Sequence, residues 1–254
     1  MAAMEKIQGD GVELATGRSQ NEPAAAVDHD QLIAKLHEGC TRLKRQVHQV
    51  IVGQEEVIDS VLCCMLAGGH CIVQGVPGLA KTLIVHSISD AMKMQFNRIQ
   101  FTPDLMPSDI TGADIIQRDP QSKQRKFEFV KGPLFANIVL ADEINRTPPK
   151  TQAALLQAMQ EREVTISGRT HKLLAPFFVL ATQNPIEQEG TYPLPEAALD
   201  RFMFMVYIDY PTAKEEHLMV KQTTTGKKHS IAPVLDVEDM TLFQEIVRMA
   251  PVSD

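Results

Sequence analysis

The chain of 254 residues has no tryptophan, and aromatic side chains make up only 5% of it. No apolar run approaches the ~18 residues that a membrane-spanning helix needs. The opening residues, MAAMEKIQGDGVELATG, contain no apolar core of the kind a signal peptide requires. Cysteine is scarce: Cys40, Cys63, Cys64 and Cys71 lack C-x-x-C spacing and lie in apolar surroundings. They read as reduced, buried thiols of a cytoplasmic protein, the alternative being a metal site. Basic residues are outnumbered, 25 against 32 acidic, and the net charge of −7 argues against a surface devoted to nucleic-acid phosphates. What remains is an ordinary globular composition, 44% hydrophobic and 22% charged, with length enough for one good-sized domain and part of another.

Residues 1–29 are rich in Gly, Ala, Gln and Glu with little periodicity, and read as a flexible tail. A helical pattern starts near Asp30 with Leu32, Leu36, Leu43 and Val47, and a second one holds Val57, Val61, Leu62, Met65 and Leu66 before Gly68-Gly69 stops it. Short apolar runs follow at HCIVQG (70–75), NRIQF (97–101), NIVLA (137–141), FFVLA (177–181) and FMVYI (204–208). Helical patterns separate several of them, notably TLIVHSISDAM (82–92) and KTQAALLQAMQE (150–161). Five buried strands with intervening helices predict an α/β fold with a parallel sheet covered on both faces. Residues 102–116 form a Pro- and Gly-punctuated insertion, and VTISGRTHKL (164–173) alternates about Ser167-Gly168 as a hairpin does. At 211–222, Thr212 followed by Glu215 predicts a capping box that opens a C-terminal helical region. The implied layout is a tail at 1–29, a nucleotide-binding domain at 30–210 and the start of a helical lid at 211–254.

The chemistry concentrates in four stretches. QGVPGLAKT (74–82) lies between a predicted strand and a predicted helix, the context in which a glycine loop can wrap phosphate with its backbone N–H groups. There Gly75 and Gly78 give close approach, Lys81 reaches the β- and γ-phosphates, and Thr82 offers a hydroxyl to Mg2+. The alternative is an ordinary strand-to-helix turn. NIVLADEINR then sets Asp142 and Glu143 at a second strand end: Asp142 for Mg2+, Glu143 as general base for the attacking water. Two carboxylates merely facing solvent would be the plain reading. Asn184, after FFVLATQ, suits a contact to the γ-phosphate or the lytic water, and equally an Asn-Pro turn. Arg201 in ALDRF suits an arginine finger reaching a neighbouring subunit's nucleotide, although from that stretch alone a local ion pair with Asp200 or a helix-end cation is the better reading.

Together these stretches resemble the MoxR family of AAA+ ATPases, in the clade that carries an insertion in its second helix. The resemblance rests on IVGQEEVI (51–58), GGHCIVQGVPGLAKT (68–82), QFTPDLMPSDITG (100–112), GPLFANIVLADEINRTPPKTQAALLQAMQEREVTI (132–166), LATQNPIEQEGTYPLPEAALDRF (180–202) and APVSD (250–254). Loops of this family look like G-x-P-G-x-A-K-T, so Ala80 departs from the generic phosphate loop but not from the family's. The resemblance implies a P-loop NTPase core with a five-stranded parallel sheet between helices. It puts Gly75, Val76, Pro77, Gly78, Leu79, Ala80, Lys81, Thr82 and Leu83 around the phosphates of ATP, and Val52 and Gly53 at the adenine. Asn184 matches the sensor-1 position, Arg201 the trans-acting finger, 102–116 the helix-2 insertion and 164–173 the hairpin before sensor 1. It further implies an ATP-driven chaperone that forms homo-hexameric rings, acts on protein clients and often works with von Willebrand factor A-domain partners. In the family the lid continues past the APVSD stretch and carries a sensor-2 arginine, for which this sequence has no counterpart. Two other readings stay open: a nucleotide-switched binding module with little turnover, and a nucleic-acid motor, for which the hairpin's Arg169, His171 and Lys172 supply little positive charge.

Overall fold

The computed structural model describes residues 29–75, 79, 81–118, 125–185, 190–224 and 230–251. The tail at 1–28 and the loop residues Val76, Pro77, Gly78 and Ala80 lie outside the described residues. Two helices come first, α1 (His29–Val47) and α2 (Glu55–Leu66), followed by β1 (Cys71–Gly75), α3 (Lys81–Ala91) and β2 (Phe96–Gln100). The insertion holds a short helix α4 (Pro107–Thr111) and then a ribbon of β3 (Gly112–Arg118) and β4 (Arg125–Lys131). Next come β5 (Ile138–Asp142), α5 (Pro149–Glu161), the hairpin β6 (Glu163–Ile166) and β7 (Arg169–Lys172), and β8 (Phe178–Gln183). A single-turn α6 (Glu196–Leu199), β9 (Phe204–Ile208), α7 (Ala213–Thr224) and α8 (Val237–Arg248) complete the described chain.

The five strands anticipated from apolar runs form one sheet in the order β2-β5-β8-β1-β9, every neighbouring pair parallel. Their side chains alternate between two cores, as the two-residue period of a strand requires. Ile138 and Leu140 of β5, with Phe178 and Leu180 of β8, enter the core beneath α1, α2, α3 and α8. Val139 and Ala141, with Val179 and Ala181, enter the opposite core beneath α4 and α5. All five residues of β5 are buried, which is why they read as one continuous apolar run. Phe243, Met240 and Ile246 of α8 join the first core, so α8 packs on α1 and α2, while every described residue of α7 is exposed or half-buried. Burying a side chain such as Phe243 contributes about 1.5–3 kcal/mol.

Three details go beyond the expectations. The insertion does not end at 116: it runs on as the antiparallel ribbon β3–β4, with Ile116 opposite Phe127. The hairpin does form about Ser167-Gly168, pairing Val164 with His171. The cysteine reading needs correcting: Cys64 and Cys71 are buried, but Cys63 is exposed and Cys40 only half-buried. Successive residues on a helix point about 100° apart, so Cys63 and Cys64 of α2 cannot both face the core.

Candidate active site

Three strands finish side by side at one edge of the sheet. Gln74 of β1 is level with Gln183 of β8, and Ala181 of β8 with Ala141 of β5. Gly75, Asn184 and Asp142 therefore gather at the carboxyl ends of adjacent strands, the usual ligand-binding edge of an open α/β sheet. Gly75 itself sits hard against β9, where an added Cβ would stand 2.8 Å from the carbonyl oxygen of Ile208. Only glycine fits there.

Lys81 opens α3 and turns its ammonium back to the strand end, donating from Nζ to the Gly75 carbonyl at 2.5 Å. Burial pulls its pKa below the usual lysine range, while the negative charges of Asp142 and Glu143 pull it back up. Lys81, after β1, and the acid pair, at the end of β5, stand on either side of β8. Thr82 and Leu83 follow on the first turn of α3, with Leu83 largely exposed.

The acid pair is held by a closed ring of hydrogen bonds. Thr182 Oγ1 donates to Asp142 Oδ1 at 2.6 Å and accepts from the Glu143 N–H at 2.8 Å. Arg98 donates to Asp142 Oδ2 from Nε (3.1 Å) and from its terminal nitrogen (2.5 Å), and that same nitrogen also donates to Gln100 Oε1 at 2.7 Å. Gln100 Nε2 closes the ring on Glu143 Oε2 at 2.8 Å, which Arg146 also reaches at 3.0 Å. Glu143 takes a left-handed backbone, φ 59°, as the chain leaves β5 for a 3-10 turn at Ile144–Arg146. A non-glycine residue there costs energy, and such residues cluster at functional sites. The conformation points the backbones of Asp142 and Glu143 so that both acids meet the same threonine.

Asn184 is buried just past β8, and its carbonyl accepts from Asn145 Nδ2 at 3.4 Å. Asn145 is also buried, and its Oδ1 has no partner among the described residues, a polar atom available to a ligand or a water beside the strand ends. Arg201 is exposed at the end of α6, and its hydrogen bonds go to Gln160 of α5 and the Ala197 carbonyl. None goes to Lys81, Asp142 or Glu143. The structure thus brings Lys81, Asp142 and Glu143 together and leaves Arg201 on the outer surface.

Two cavities flank the segment 51–54. One of about 480 Å³ is lined by Val50, Ile51, Val52, Leu79, Leu83 and Met219, a mostly apolar slot that suits a planar base next to α3. The larger, about 800 Å³, lies on the other side of Gln54 and includes Gly53, Glu55, Glu56, Asp209 and Glu215. Its lining holds four carboxylates, against the single Glu216 of the smaller cavity, and so suits a triphosphate less well. The smaller cavity takes in Val52 but not Gly53. Gly53 has φ +69° and packs against the Glu215 side chain. Glu215 in turn accepts from the Thr212 N–H at 2.7 Å, the expected capping box at the start of α7.

Sequence reasoning missed Arg98, Gln100, Arg146 and Thr182. The signals were faint: Arg98 and Gln100 stand two apart on one face of β2, and Thr182 is a polar residue at the end of an apolar strand.

Residues 70–204 match the model of the "ATPase family associated with various cellular activities (AAA)". The chain is similar to YeaC of Bacillus subtilis, 44% identical over 220 residues that cover 86% of this chain and 68% of YeaC. It is 45% identical to the chaperone MoxR1 of Mycobacterium tuberculosis over 201 residues, 79% of this chain but 52% of MoxR1. Protein MoxR of Methylorubrum extorquens is 26% identical over 182 residues. A solved structure from Cytophaga hutchinsonii, described as a "putative ATPase", superposes with a TM-score of 0.78 at 40% identity, covering 89% of this chain and 68% of that one.

Proposed function

The chain belongs to the MoxR family of AAA+ ATPases, and on that premise we propose that it binds ATP with Mg2+ and hydrolyses it to drive remodelling or maturation of partner proteins. In this reading Lys81 would bind the β- and γ-phosphates, and Thr82 and Asp142 would hold the metal, whose positive charge would offset negative charge on the phosphates. Glu143 orients the attacking water and takes its proton. Asn184 fixes the water or the terminal phosphate from the strand between the other two. The adenine lies in the apolar cavity at Val52, Leu79 and Leu83, with α7 above it as the first piece of a lid. Gly75, Val76, Pro77, Gly78 and Ala80 wrap the phosphates.

The observation that supports this best is the placement of Lys81, bonded to the Gly75 carbonyl at the end of β1, and of the Asp142–Glu143 pair at the end of β5, on either side of β8. A lysine opening a helix after a glycine loop, within the field of two carboxylates at a neighbouring strand end, has the parts for metal-assisted phosphoanhydride hydrolysis. Arg201 enters from the next subunit of a homo-hexamer, and its exposure on the outer surface is compatible with that role. The clients are proteins, with von Willebrand factor A-domain proteins among the partners, and the work is done in the cytoplasm. Among the described residues no helix is long and apolar enough to cross a membrane. The nucleotide-binding unit spans 30–210, and 211–254 begins the lid, although its α8 packs on α1 and α2 in the core of that unit.

The test is steady-state phosphate release by this chain and by its Glu143→Gln form, at concentrations where rings assemble. General-base loss lowers the rate by about 10²–10⁴-fold; equal rates would remove Glu143 from the mechanism. One observation favours a second reading, a nucleotide-switched module with little turnover: Glu143 Oε2 already accepts from Gln100 and Arg146. Tight ATP binding with no phosphate release under assembled conditions would select it.

A further inference from the structure

We infer that Arg98 is the resident counter-ion of Asp142 and that it makes metal binding conditional on nucleotide. The inference rests on the reading of Asp142 as the metal carboxylate. Arg98 lies on β2, directly paired with β5, where Gln100 is level with Asp142. From there its guanidinium reaches the strand end and places two N–H groups on Asp142 Oδ2. The carboxylate's other oxygen is taken by Thr182. A carboxylate has about four acceptor positions, and three of them are already used. The Asp142 side chain is 10% exposed, so its charge is compensated chiefly by this one arginine.

A divalent cation approaching this carboxylate alone meets a guanidinium already seated on it. Like charges a few ångströms apart repel even in water, and more so when one is doubly charged, so the metal alone binds on the order of tenfold more weakly than it would without Arg98. A triphosphate brings several negative charges to Lys81 and offsets the repulsion. The Arg98 side chain is 48% exposed, so it has solvent to swing into when the metal arrives. Its second tie, to Gln100 Oε1, matters here, because Gln100 also holds Glu143. Displacement of the guanidinium therefore loosens the partner of the other acid. Metal entry and release of Glu143 become one event, a positive coupling between two groups of the same site.

The test is binding of Mn2+ followed by electron paramagnetic resonance, without nucleotide, to the wild-type chain and to Arg98→Gln. Arg98→Gln should bind Mn2+ about tenfold more tightly, a gain that the double variant Arg98→Gln with Asp142→Asn abolishes and Arg98→Lys does not show. Arg98→Met, which keeps the alkyl stem, serves if the glutamine variant does not fold. A folded Arg98→Gln or Arg98→Met protein with unchanged or weaker Mn2+ binding overturns the inference. In parallel, binding of a fluorescent ATP analogue to the wild type is measured with Mg2+ and with EDTA. Absence of Mg2+-dependent binding there removes the ATPase reading itself, whereas its presence beside unchanged Mn2+ titrations removes only the role of Arg98. A merely structural arginine would lower the melting temperature and leave the Mn2+ affinity alone.

Discussion

His70, next to the strand that leads into the phosphate loop, makes the stability of this fold depend on pH in a way that can be worked out. The ring is buried, with its Nδ1 accepting from the Val179 N–H at 3.0 Å and its Nε2 facing the Met159 carbonyl at 3.3 Å. That arrangement requires a neutral imidazole protonated on Nε2. Burial, with a smaller contribution from the nearby Arg162 charge, holds its pKa down to about 4, partly opposed by the hydrogen bond to Met159. In the unfolded chain the ordinary value near 6.5 returns. Between these two values the unfolded state binds the extra proton and the native state does not, so stability is full above pH ~6.5 and falls as the pH drops towards 4. The gap is worth about 3 kcal/mol in all, and about 2 kcal/mol of it is lost between pH 7.5 and 5. The check is urea unfolding of the wild type and of His70→Gln at pH 7.5, 6.5, 5.5 and 5. Glutamine still donates to the Met159 carbonyl but cannot titrate. The variant is less stable at neutral pH because its shape fits less well, yet its pH slope should be flatter by about 2 kcal/mol over this range. Parallel slopes would refute the buried neutral histidine.

Two further predictions concern the site. Thr182→Val keeps the shape of β8 but removes the hydroxyl that serves both Asp142 Oδ1 and the Glu143 N–H. A buried carboxylate oxygen and a part-buried N–H lose their partner, so urea unfolding should show a loss of about 2–4 kcal/mol, with phosphate release falling more than ATP affinity. Arg201→Ala removes hydrogen bonds to Gln160 and to the Ala197 carbonyl, at an exposed position. Melting temperature and ATP binding should hold while phosphate release collapses, and mixing with Lys81→Ala chains should restore activity, because the two defects lie in different subunits. Loss of activity that mixing cannot restore would make Arg201 a local helix-end cation.

Much of this fold is legible in the sequence because its central strands are buried on both faces. NIVLA, FFVLA and HCIVQG read as strands since most of their positions are buried and apolar, and the glycine stop after β1 coincides with the Gly75 contact to Ile208. The ribbon of β3 and β4 was hidden for the opposite reason. Its sequence, KFEFV on one strand, serves a solvent-exposed pair in which Phe127 and Ile116 lie open, so no buried run marks it. At the site, Lys81, Asp142 and Glu143 announce themselves by residue type and spacing. Arg98, Gln100 and Thr182 do not, because their role comes from strand order. Only when β2 and β8 take their places on either side of β5 do their side chains meet the acid pair. Arg201 illustrates a different limit: a single chain shows what it touches at home, and a role in a neighbouring subunit needs the assembly.

Convergence of one ammonium and two carboxylates on the end of a bound triphosphate is tested most directly by calorimetric titration of ATP into Glu143→Gln and into the double variant Lys81→Ala with Glu143→Gln, beside phosphate release by the wild type. The expected pattern is tight, Mg2+-dependent binding by the first, a loss of at least tenfold in affinity by the second, and turnover by the wild type alone. Equal affinity in both variants would mean that Lys81 does not touch the nucleotide, and the site would have to lie elsewhere on the sheet.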